Sequence, residues 1–455
     1  MTDKSIDHAG RRDGLESCHE EKNRVPRERN MIEQILNSEN LSTAWKRVRS
    51  NKGGAGVDDM SLDDFPDFYR KHGERIFADL KNGIYRPAPV RRVMIPKPDG
   101  SLRPLGIPTV LDRLIQQAIA QVLGPLFEVG FSAHSFGFRS MRSAHQAVAT
   151  LEAGWKEGRR YAADCDLKSF FDTVNHDLLM RALREKISCR ETLGLIRKYL
   201  VAGVRLPDGT LEATPKGVPQ GGPLSPLLAN IVLDPLDKEL EKRGHLFARY
   251  ADDFIILVKS PKAAQRVMES VTRYCEKRLK LVVNRAKSRS APLKSCTFLG
   301  YQIGHGGKLK WTTKALLRFK QRVRQITRRN RGHKVQDVID ELRLYVWGWL
   351  NYYKLSCTYT KVLELSEWLR RRVRLYYWKQ WKQPRTRRRH LLALGIFPEK
   401  VHLATRSRKG YWRMSQNSLV RGALNNRWLE EQGVPDMRTI WIALHYPEQR
   451  SVPGV

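Results

Sequence analysis

The stretch Tyr250-Ala251-Asp252-Asp253 decides the fold, because it places two adjacent carboxylates between two apolar segments. Residues 246–248 (Leu-Phe-Ala) precede it and residues 254–258 (Phe-Ile-Ile-Leu-Val) follow it. Apolar runs on both sides of a short polar break are typical of a β-hairpin with the break at its tip. Two carboxylates held this close repel each other unless a cation lies between them. We therefore predict a site for a hard divalent cation, which takes carboxylate oxygens and substrate phosphates as ligands.

Two upstream motifs favour this metal site over the plain alternative, a solvated Asp-Asp turn. Residues 161–166 (Tyr-Ala-Ala-Asp-Cys-Asp) predict a short strand that ends in acid, ahead of a helical stretch at 177–187. Residues 217–226 (Gly-Val-Pro-Gln-Gly-Gly-Pro-Leu-Ser-Pro) predict a turn-rich loop that leads into an apolar helix at 227–236. Asp166 is thus expected where a strand stops and a helix begins.

The order of these motifs resembles the palm of a reverse transcriptase. The sequence is similar to the group II intron-encoded reverse transcriptase/maturase family from about residue 41 to about residue 443. The segment Gly348-Trp349-Leu350-Asn351-Tyr352-Tyr353 resembles the maturase segment that follows the palm in that family. The resemblance implies an α+β fold: a right-hand polymerase with fingers and an antiparallel-sheet palm, a three-helix thumb/maturase domain and a small basic C-terminal module.

The resemblance also implies a domain order. We expect a flexible N-terminus at 1–30, an N-terminal extension at 31–89, fingers and palm at 90–310, a thumb/maturase domain at 311–384 and a basic nucleic-acid-binding module at 385–455. Within the extension, Ser42 or Thr43 is expected to cap a helix that runs to Arg49.

Charge and composition restrict the function. The 455 residues include 83 Lys and Arg against 47 Asp and Glu, a formal net charge of +36, so a polyanion is the expected partner. No apolar run is long enough to span a bilayer and the start shows no secretory signal, so we expect a cytoplasmic protein. The six cysteines include no C-x-x-C pair, as expected for a reduced compartment and for a lineage without the zinc-dependent endonuclease module of many family members.

For catalysis the resemblance implies two Mg²⁺ ions, with Mn²⁺ as a substitute. It assigns Asp166, Asp252 and Asp253 as catalytic carboxylates and metal ligands, and the Leu167 carbonyl as a backbone ligand. Such a metal pair clamps the attacking and leaving oxygens of nucleotidyl transfer.

The predicted nucleotide site begins with residues 92–108, which favour two strands joined by an Asp-Gly turn. Lys97 and Arg103 then lie toward one end, where a point charge and a guanidinium fork suit a triphosphate. A solvated turn with stray basic residues is the alternative. By resemblance, Phe171 excludes a 2′-hydroxyl, although a core phenylalanine is the alternative, and Lys287 approaches the phosphates, although a solvated lysine explains it nearly as well. The full predicted set is Lys97, Arg103, Phe170, Phe171, Gln220 and Lys287.

The template and primer contacts come from two segments by resemblance. Pro219 and Gly221 shape the loop around Gln220, and residues 298–301 (Phe-Leu-Gly-Tyr) are similar to the primer-grip hairpin. The glycine permits close approach of a backbone. The predicted template and primer contacts are Pro219, Gly221, Leu299, Gly300 and Tyr301.

The last third is basic and helical. Residues 318–334 carry eight basic side chains and no acid, and further helices are expected at 335–356 and 359–383, with Pro384 ending the third. Clustered like charges destabilise a compact helix unless a polyanion neutralises them. We predict RNA contacts in this thumb from Arg322, Arg324, Arg328, Arg329, Arg371 and Arg374.

The implied function is an RNA-directed DNA polymerase that binds its group II intron RNA, assists splicing and supports intron mobility by target-primed cDNA synthesis. Its expected partners are the intron RNA, an RNA template/DNA primer duplex, target DNA and deoxynucleoside triphosphates, with no membrane, in a monomer or a dimer. One alternative is an RNA-binding splicing cofactor without polymerase activity, against which the intact acids argue. The other is a retron-like or defence reverse transcriptase, against which the segment around Trp349 argues.

Overall fold

The computed structural model describes residues 31–96, 100 and 102–449. The described residues form two compact units, one up to residue 147 together with 159–291, the other of residues 148–158 together with those from 292 onward. The predicted flexible N-terminus and Lys97 lie outside the described residues. The predicted division of the chain into an N-terminus, an extension, fingers and palm, a thumb and a C-terminal module remains a prediction.

The first unit contains helices that wrap two small sheets. In order, the helices up to residue 274 are α1 at 31–35, α2 Ser38–Ser50, α3 Phe65–Lys81, α4 Val110–Glu128, α5 Ala144–Lys156, α6 Phe170–Thr173, α7 His176–Arg184, α8 Arg190–Val201, α9 Ser225–Lys242 and α10 Pro261–Tyr274. From residue 148 onward, α5 belongs to the second unit. The strands up to residue 292 are β1 Val90–Pro96, β2 Leu102–Ile107, β3 Tyr161–Asp166, β4 Val204–Arg205, β5 Leu211–Glu212, β6 Leu246–Tyr250, β7 Asp253–Val258 and β8 Arg289–Pro292.

The sheet that carries the acids has the strand order β6-β7-β3-β8. The two strands at its centre, β3 and β7, are antiparallel, and the predicted hairpin of β6 and β7 is confirmed. Residues 254–258 of β7 are buried on both faces, and α10 packs against β3 and β7. A continuous apolar run, rather than an alternating one, is what a strand covered on both sides requires. The second sheet has the order β2-β1-β4-β5.

The second unit is helical apart from a short hairpin. Its strands are β9 Tyr301–Ile303 and β10 Leu309–Trp311. Its helices are α11 Thr313–Ile326, α12 Val335–Tyr352, α13 Tyr359–Gln380, α14 Pro384–Ala393, α15 Pro398–Thr405, α16 Tyr411–Met414, α17 Ser418–Ala423, α18 Asn426–Glu431 and α19 Met437–His445.

One hydrophobic core joins the three predicted thumb helices to the C-terminal helices. It contains Phe319 of α11, Trp349 of α12 and Trp378 of α13 together with Leu391 and Trp441 from beyond residue 384. The described part of the predicted C-terminal module therefore shares its core with α11, α12 and α13.

Several predicted helix ends were wrong. Asn37 caps α2 by accepting a hydrogen bond from the backbone nitrogen of Glu39 at 2.9 Å, so Ser42 and Thr43 lie inside the helix. The helix α13 ends at Gln380, and Pro384 begins α14, because proline at the first helical position lacks only a donor that has no partner there.

Within the described residues, no helix combines the length and the apolar character needed to cross a bilayer.

Candidate active site

The Asp-Asp stretch forms the turn between β6 and β7. Tyr250 and Asp253 are paired across the hairpin, which leaves Ala251 and Asp252 as its two-residue loop. Ala251 has a φ of 58°, in the left-handed region that two-residue hairpin loops demand and that alanine rarely adopts. Asp252 thus stands at the tip and Asp253 is the first residue of β7.

The strand β3 brings the third predicted acid to the same place. Asp166 is the last residue of β3, and its Cα is paired with that of Asp253 in the antiparallel register. Side chains of directly opposed residues lie on one face of a sheet, and a residue two positions earlier lies on that face too. The structure therefore brings together Asp166, Asp252 and Asp253, with Asp164 beside them.

Burial raises the pKa of Asp164, Asp252 and Asp253, and neighbouring negative charges add to the effect. Burial raises the pKa of Asp253 to about 7, and the charges of Asp164, Asp252 and Asp166 add to the effect in that order. Burial, followed by the charge of Asp166, also raises the pKa of Asp252. The pKa of Asp164 is raised by burial although Arg289 lies 3.6 Å from its carboxylate. Such a set of acids favours the binding of a cation, which removes the mutual repulsion.

Asp166 is held in place by the segment that follows α10. The side-chain amide of Asn284 donates to Asp166 Oδ2 at 2.8 Å, and its backbone nitrogen donates to the Asp166 carbonyl at 2.8 Å. Ser288 Oγ accepts from the Asp166 nitrogen at 3.0 Å, and Lys287 Nζ lies 3.8 Å from Asp166 Oδ2. The sequence analysis assigned Lys287 and missed Asn284 and Ser288. Both residues lie close to Lys287 in the sequence, and this proximity was the signal that could have identified them.

The carboxylates of Asp166, Asp252 and Asp253 are chemically suited to bind a divalent metal ion. In the described part of the chain, no set of three or more His, Cys, Asp or Glu side chains is gathered into a finished metal site. The carboxylates of Asp166, Asp252 and Asp253 nevertheless supply hard oxygen ligands at partly buried positions, which are the ligands that Mg²⁺ takes. Leu167 is buried and bridges Val283, and the two hydrogen bonds around this bridge use the Asp166 carbonyl and the Lys168 nitrogen rather than the Leu167 carbonyl.

The hairpin of β1 and β2 contacts the predicted Gln220 loop. Arg103 Nε donates to Gln220 Oε1 at 3.0 Å, and the Gly106 nitrogen donates to the Gln220 carbonyl at 2.7 Å. Gly221 has a φ of 121°, and a Cβ there would lie 2.5 Å from the Gly106 carbonyl oxygen. The Pro219 carbonyl accepts from Ser225 Oγ at 2.6 Å. The structure thus brings Arg103 and Gln220 together.

The two adjacent phenylalanines differ in exposure. Phe170 is 2% exposed and belongs to the core of the first unit, so its assignment to the nucleotide site was wrong: an aromatic ring buried in the core cannot reach a substrate. Phe171 is half-buried and meets Phe170 edge-on at a centroid distance of 5.2 Å. Its backbone carbonyl accepts from the Val218 nitrogen at 2.6 Å, which ties it to the Gln220 loop.

The predicted primer-grip residues lie in the second unit. Leu299 and Gly300 both have positive φ, and a Cβ on Gly300 would lie 2.5 Å from the Tyr353 hydroxyl. The fully buried Tyr301 donates its hydroxyl to the Tyr352 carbonyl, and Tyr352 in turn donates to the Leu299 carbonyl at 2.9 Å. The Tyr301 ring therefore packs inside the unit, which leaves the predicted primer contact of this residue to its backbone.

The predicted RNA-binding arginines fall into two groups. Arg324, Arg328 and Arg329 are exposed, and the last two follow the end of α11. Arg322 is also exposed and donates to Glu341 at 3.0 Å. Arg371 lies 3.5 Å from the centre of the Trp412 ring.

Arg374 was wrongly assigned to the RNA-binding surface. It is 7% exposed and donates to the Leu424 carbonyl at 2.8 Å and to Asn426 Oδ1 at 2.9 Å. Its guanidinium joins α13 to the C-terminal helices and is not available to a ligand.

Comparison with known proteins defines the class and then the family. Residues 95–303 match the reverse transcriptase (RNA-dependent DNA polymerase) family, and residues 316–395 match the group II intron maturase-specific domain. The chain belongs to the group II intron-encoded reverse transcriptase/maturase family.

Two curated relatives illustrate the similarity. Protein YkfC of Escherichia coli (strain K12) is 33% identical over 315 residues, which cover 60% of this chain and 82% of that protein. The group II intron-encoded protein LtrA of Lactococcus lactis subsp. cremoris is 33% identical over 340 residues, which cover 59% of this chain and 55% of LtrA. The matched region thus spans most of YkfC but about half of LtrA.

Solved structures give weaker matches. A partial Cas6-RT-Cas1–Cas2 complex has a TM-score of 0.36 at 26% identity, covering 54% of this chain and 42% of that chain. Telomerase from Candida tropicalis has a TM-score of 0.43 at 12% identity, covering 84% of this chain and 66% of that chain. The family assignment rests on the sequence matches.

Proposed function

We propose that this protein is an RNA-directed DNA polymerase that binds its group II intron RNA, assists splicing and supports intron mobility by target-primed cDNA synthesis. The observation that carries the proposal is the register that sets Asp166 opposite Asp253, with Asp252 at the adjoining turn. Acids gathered at the end of a sheet with a raised pKa at Asp252 and Asp253 suit nucleotidyl transfer better than a structural role.

The acids are proposed as ligands for two Mg²⁺ ions, for which Mn²⁺ is a substitute. Asp166 and Asp252 would hold the ions, with Asp253 in support and the Leu167 carbonyl as a backbone ligand. When bound, the ions supply charge that activates the primer 3′-hydroxyl and neutralises the departing pyrophosphate. Asn284 and Ser288 keep the Asp166 carboxylate and backbone in position for this task.

Basic residues around the acids are proposed to bind the nucleotide. Arg103 offers a guanidinium fork to the triphosphate, for which it must exchange its present hydrogen bond to Gln220. Lys97 is proposed to assist from the same hairpin. Lys287 is proposed to protonate the leaving pyrophosphate, which its exposure and its closeness to Asp166 support. Phe171 is proposed to block a 2′-hydroxyl and thereby select deoxynucleotides.

The basic helical unit is proposed to bind the intron RNA. Arg324, Arg328 and Arg329 remain exposed, and phosphate contacts from such side chains give affinity that depends steeply on salt. Pro219, Gly221, Leu299 and Gly300 are proposed to shape the path of template and primer by close backbone approach. Target DNA completes the proposed set of partners.

Primer extension on an RNA template with Mg²⁺ tests the proposal. The variant D252A/D253A should lose cDNA synthesis, whereas D63A/D64A, an exposed adjacent pair before α3, should retain it. Splicing assistance by D252A/D253A should persist, since it depends on the basic surface. Undiminished synthesis by D252A/D253A would contradict the catalytic assignment, and an inactive wild type beside intact splicing assistance would favour the splicing cofactor.

A further inference from the structure

A buried polar cluster lies directly behind the acidic turn. Arg249, which immediately precedes the Tyr-Ala-Asp-Asp stretch, has no solvent exposure, and neither do Asp237 of α9 and Ser135. Asn230 of α9 is 1% exposed. Burying a charged group in an apolar interior is costly unless the group is paired and hydrogen-bonded. The burial of Arg249 and Asp237 therefore calls for an explanation.

The guanidinium of Arg249 uses all of its nitrogens. Nε and Nη2 donate to the Asp237 carboxylate at 2.8 and 2.5 Å. Nη2 also donates to Ser135 Oγ at 2.7 Å, and Nη1 donates to Asn230 Oδ1 at 3.0 Å. The remaining bond, from Nη1 to the Ala251 carbonyl at 3.0 Å, reaches the acidic turn itself.

The hydrogen bond from Arg249 to the Ala251 carbonyl restrains a residue that has an unfavourable backbone conformation. Ala251 has a φ of 58°, a conformation costly for a residue with a Cβ, and it stands immediately before Asp252. The peptide whose carbonyl Arg249 holds is the one that joins Ala251 to Asp252. A donor at this position therefore sets the direction in which Asp252 leaves the turn.

A second backbone segment, at Gly137, lies against the turn. A Cβ at Gly137 would lie 2.4 Å from the Ala251 nitrogen, so the two backbones are in close contact. Asn230 donates to the Gly137 carbonyl at 2.9 Å while it accepts from Arg249. Asn230 thus joins the two groups that restrain the turn.

A buried ion pair is a weak means of gaining stability, because desolvation offsets most of its attraction. Only the five donors of a guanidinium can serve a carboxylate, an amide, a hydroxyl and a carbonyl together. This combination favours geometric restraint as the reason for the cluster.

We propose that Arg249, aligned by Asp237 and Asn230, is a positioning residue that holds the Ala251–Asp252 peptide in the orientation required for nucleotide addition. Arg249 acts through the turn and touches neither substrate nor metal. The inference rests on the proposed polymerase function.

The test compares R249K with R139K in the full-length protein. Arg139 is a matched control: its side chain is 3% exposed, pairs with Glu128 at 2.7 Å, and donates to the Ser132 and Ser135 carbonyls but not to the turn. Lysine at 249 keeps the charge beside Asp237 and cannot reach Ala251, Asn230 and Ser135 together. Single-turnover primer extension at saturating nucleotide, template–primer affinity and thermal unfolding are measured for each variant.

In R249K we expect the rate of nucleotide addition to fall about 10- to 100-fold, with template–primer affinity within about twofold of wild type. The Mn²⁺-dependent rise in the unfolding temperature should shrink as well. R139K should keep the wild-type rate per folded molecule. If R249K does not fold, N230A, which retains the ion pair, should show a smaller loss of rate than expected for R249K.

The proposal is overturned if the rate in R249K or N230A falls only in proportion to the folded fraction, or if R139K loses as much. An inactive wild type is a different outcome, which rejects the polymerase function itself.

Discussion

The acidic sheet and the basic helical unit carry charge in opposite ways. In the sheet, three predicted acids are set by strand register and a two-residue turn, so a few atoms determine the arrangement. In the helical unit, many arginines and lysines cover helices, and individual members are exposed, paired or buried. Catalysis by the sheet should therefore respond sharply to single substitutions, whereas RNA binding by the helices should respond in small steps.

The largest effect that sharpens this comparison is expected at Asn284. Replacing it by alanine removes the 2.8 Å hydrogen bond to the Asp166 carboxylate. Because partners that orient a metal ligand typically contribute 10- to 100-fold, we expect primer extension to fall by about that factor and to need more Mg²⁺. The neighbouring R285A variant removes an exposed side chain and should leave the rate unchanged. Equal rates for N284A and wild type would reject the role given to this bond.

An intermediate effect is expected from pH. The folded-state pKa of Asp253, about 7, lies above its ordinary unfolded value, so the folded protein binds this proton more tightly. Its contribution to stability is present at low pH and is lost as the pH rises through about 7. With a metal chelator present, the free energy of unfolding is measured with urea for wild type and D253N. Between pH 5 and 8 it should fall by roughly 2 kcal/mol more in wild type than in D253N. Parallel pH profiles of the two proteins would contradict the shift.

The smallest effects are expected in the basic unit, where two arginines of the predicted set should behave differently. R324A removes an exposed cation, so RNA affinity should fall about threefold and the salt slope by about one, with unchanged unfolding. R374A removes two buried hydrogen bonds and should lower stability by about 1–3 kcal/mol. Filter binding and thermal unfolding check both. An R374A variant of full stability with weakened RNA binding would restore the original assignment.

The sequence predicted features that depend on local patterns. The hairpin around Asp252, the strand that ends at Asp166 and the apolar helix α9 follow from periodicity and flanking residues. The pairing of Asp166 with Asp253 did not follow from periodicity, and only the family resemblance implied that these acids meet.

Features that depend on tertiary packing were missed. Adjacent phenylalanines at 170 and 171 cannot be sorted into core and site from sequence, since both lie in the short helix α6 and their exposure depends on tertiary packing, including the hydrogen bond between residues 171 and 218. Arg374 lies in a helix with basic residues all around, so its burial against residues 424 and 426 left no periodic signal. The ion pair of Arg249 with Asp237 joins the strand β6 to the helix α9, and no local sequence pattern predicts it.

The central claim is that Asp166 and the acids at 252 and 253 share one metal site. Electron paramagnetic resonance of Mn²⁺ bound to the complex with template, chain-terminated primer and incoming nucleotide tests it directly, in wild type, D166N and D252N/D253N. We expect both variants to lose the same tightly bound Mn²⁺ signal that wild type shows. Retention of that signal in D166N, with its loss only in D252N/D253N, would show that the acids do not share an ion and would contradict the account.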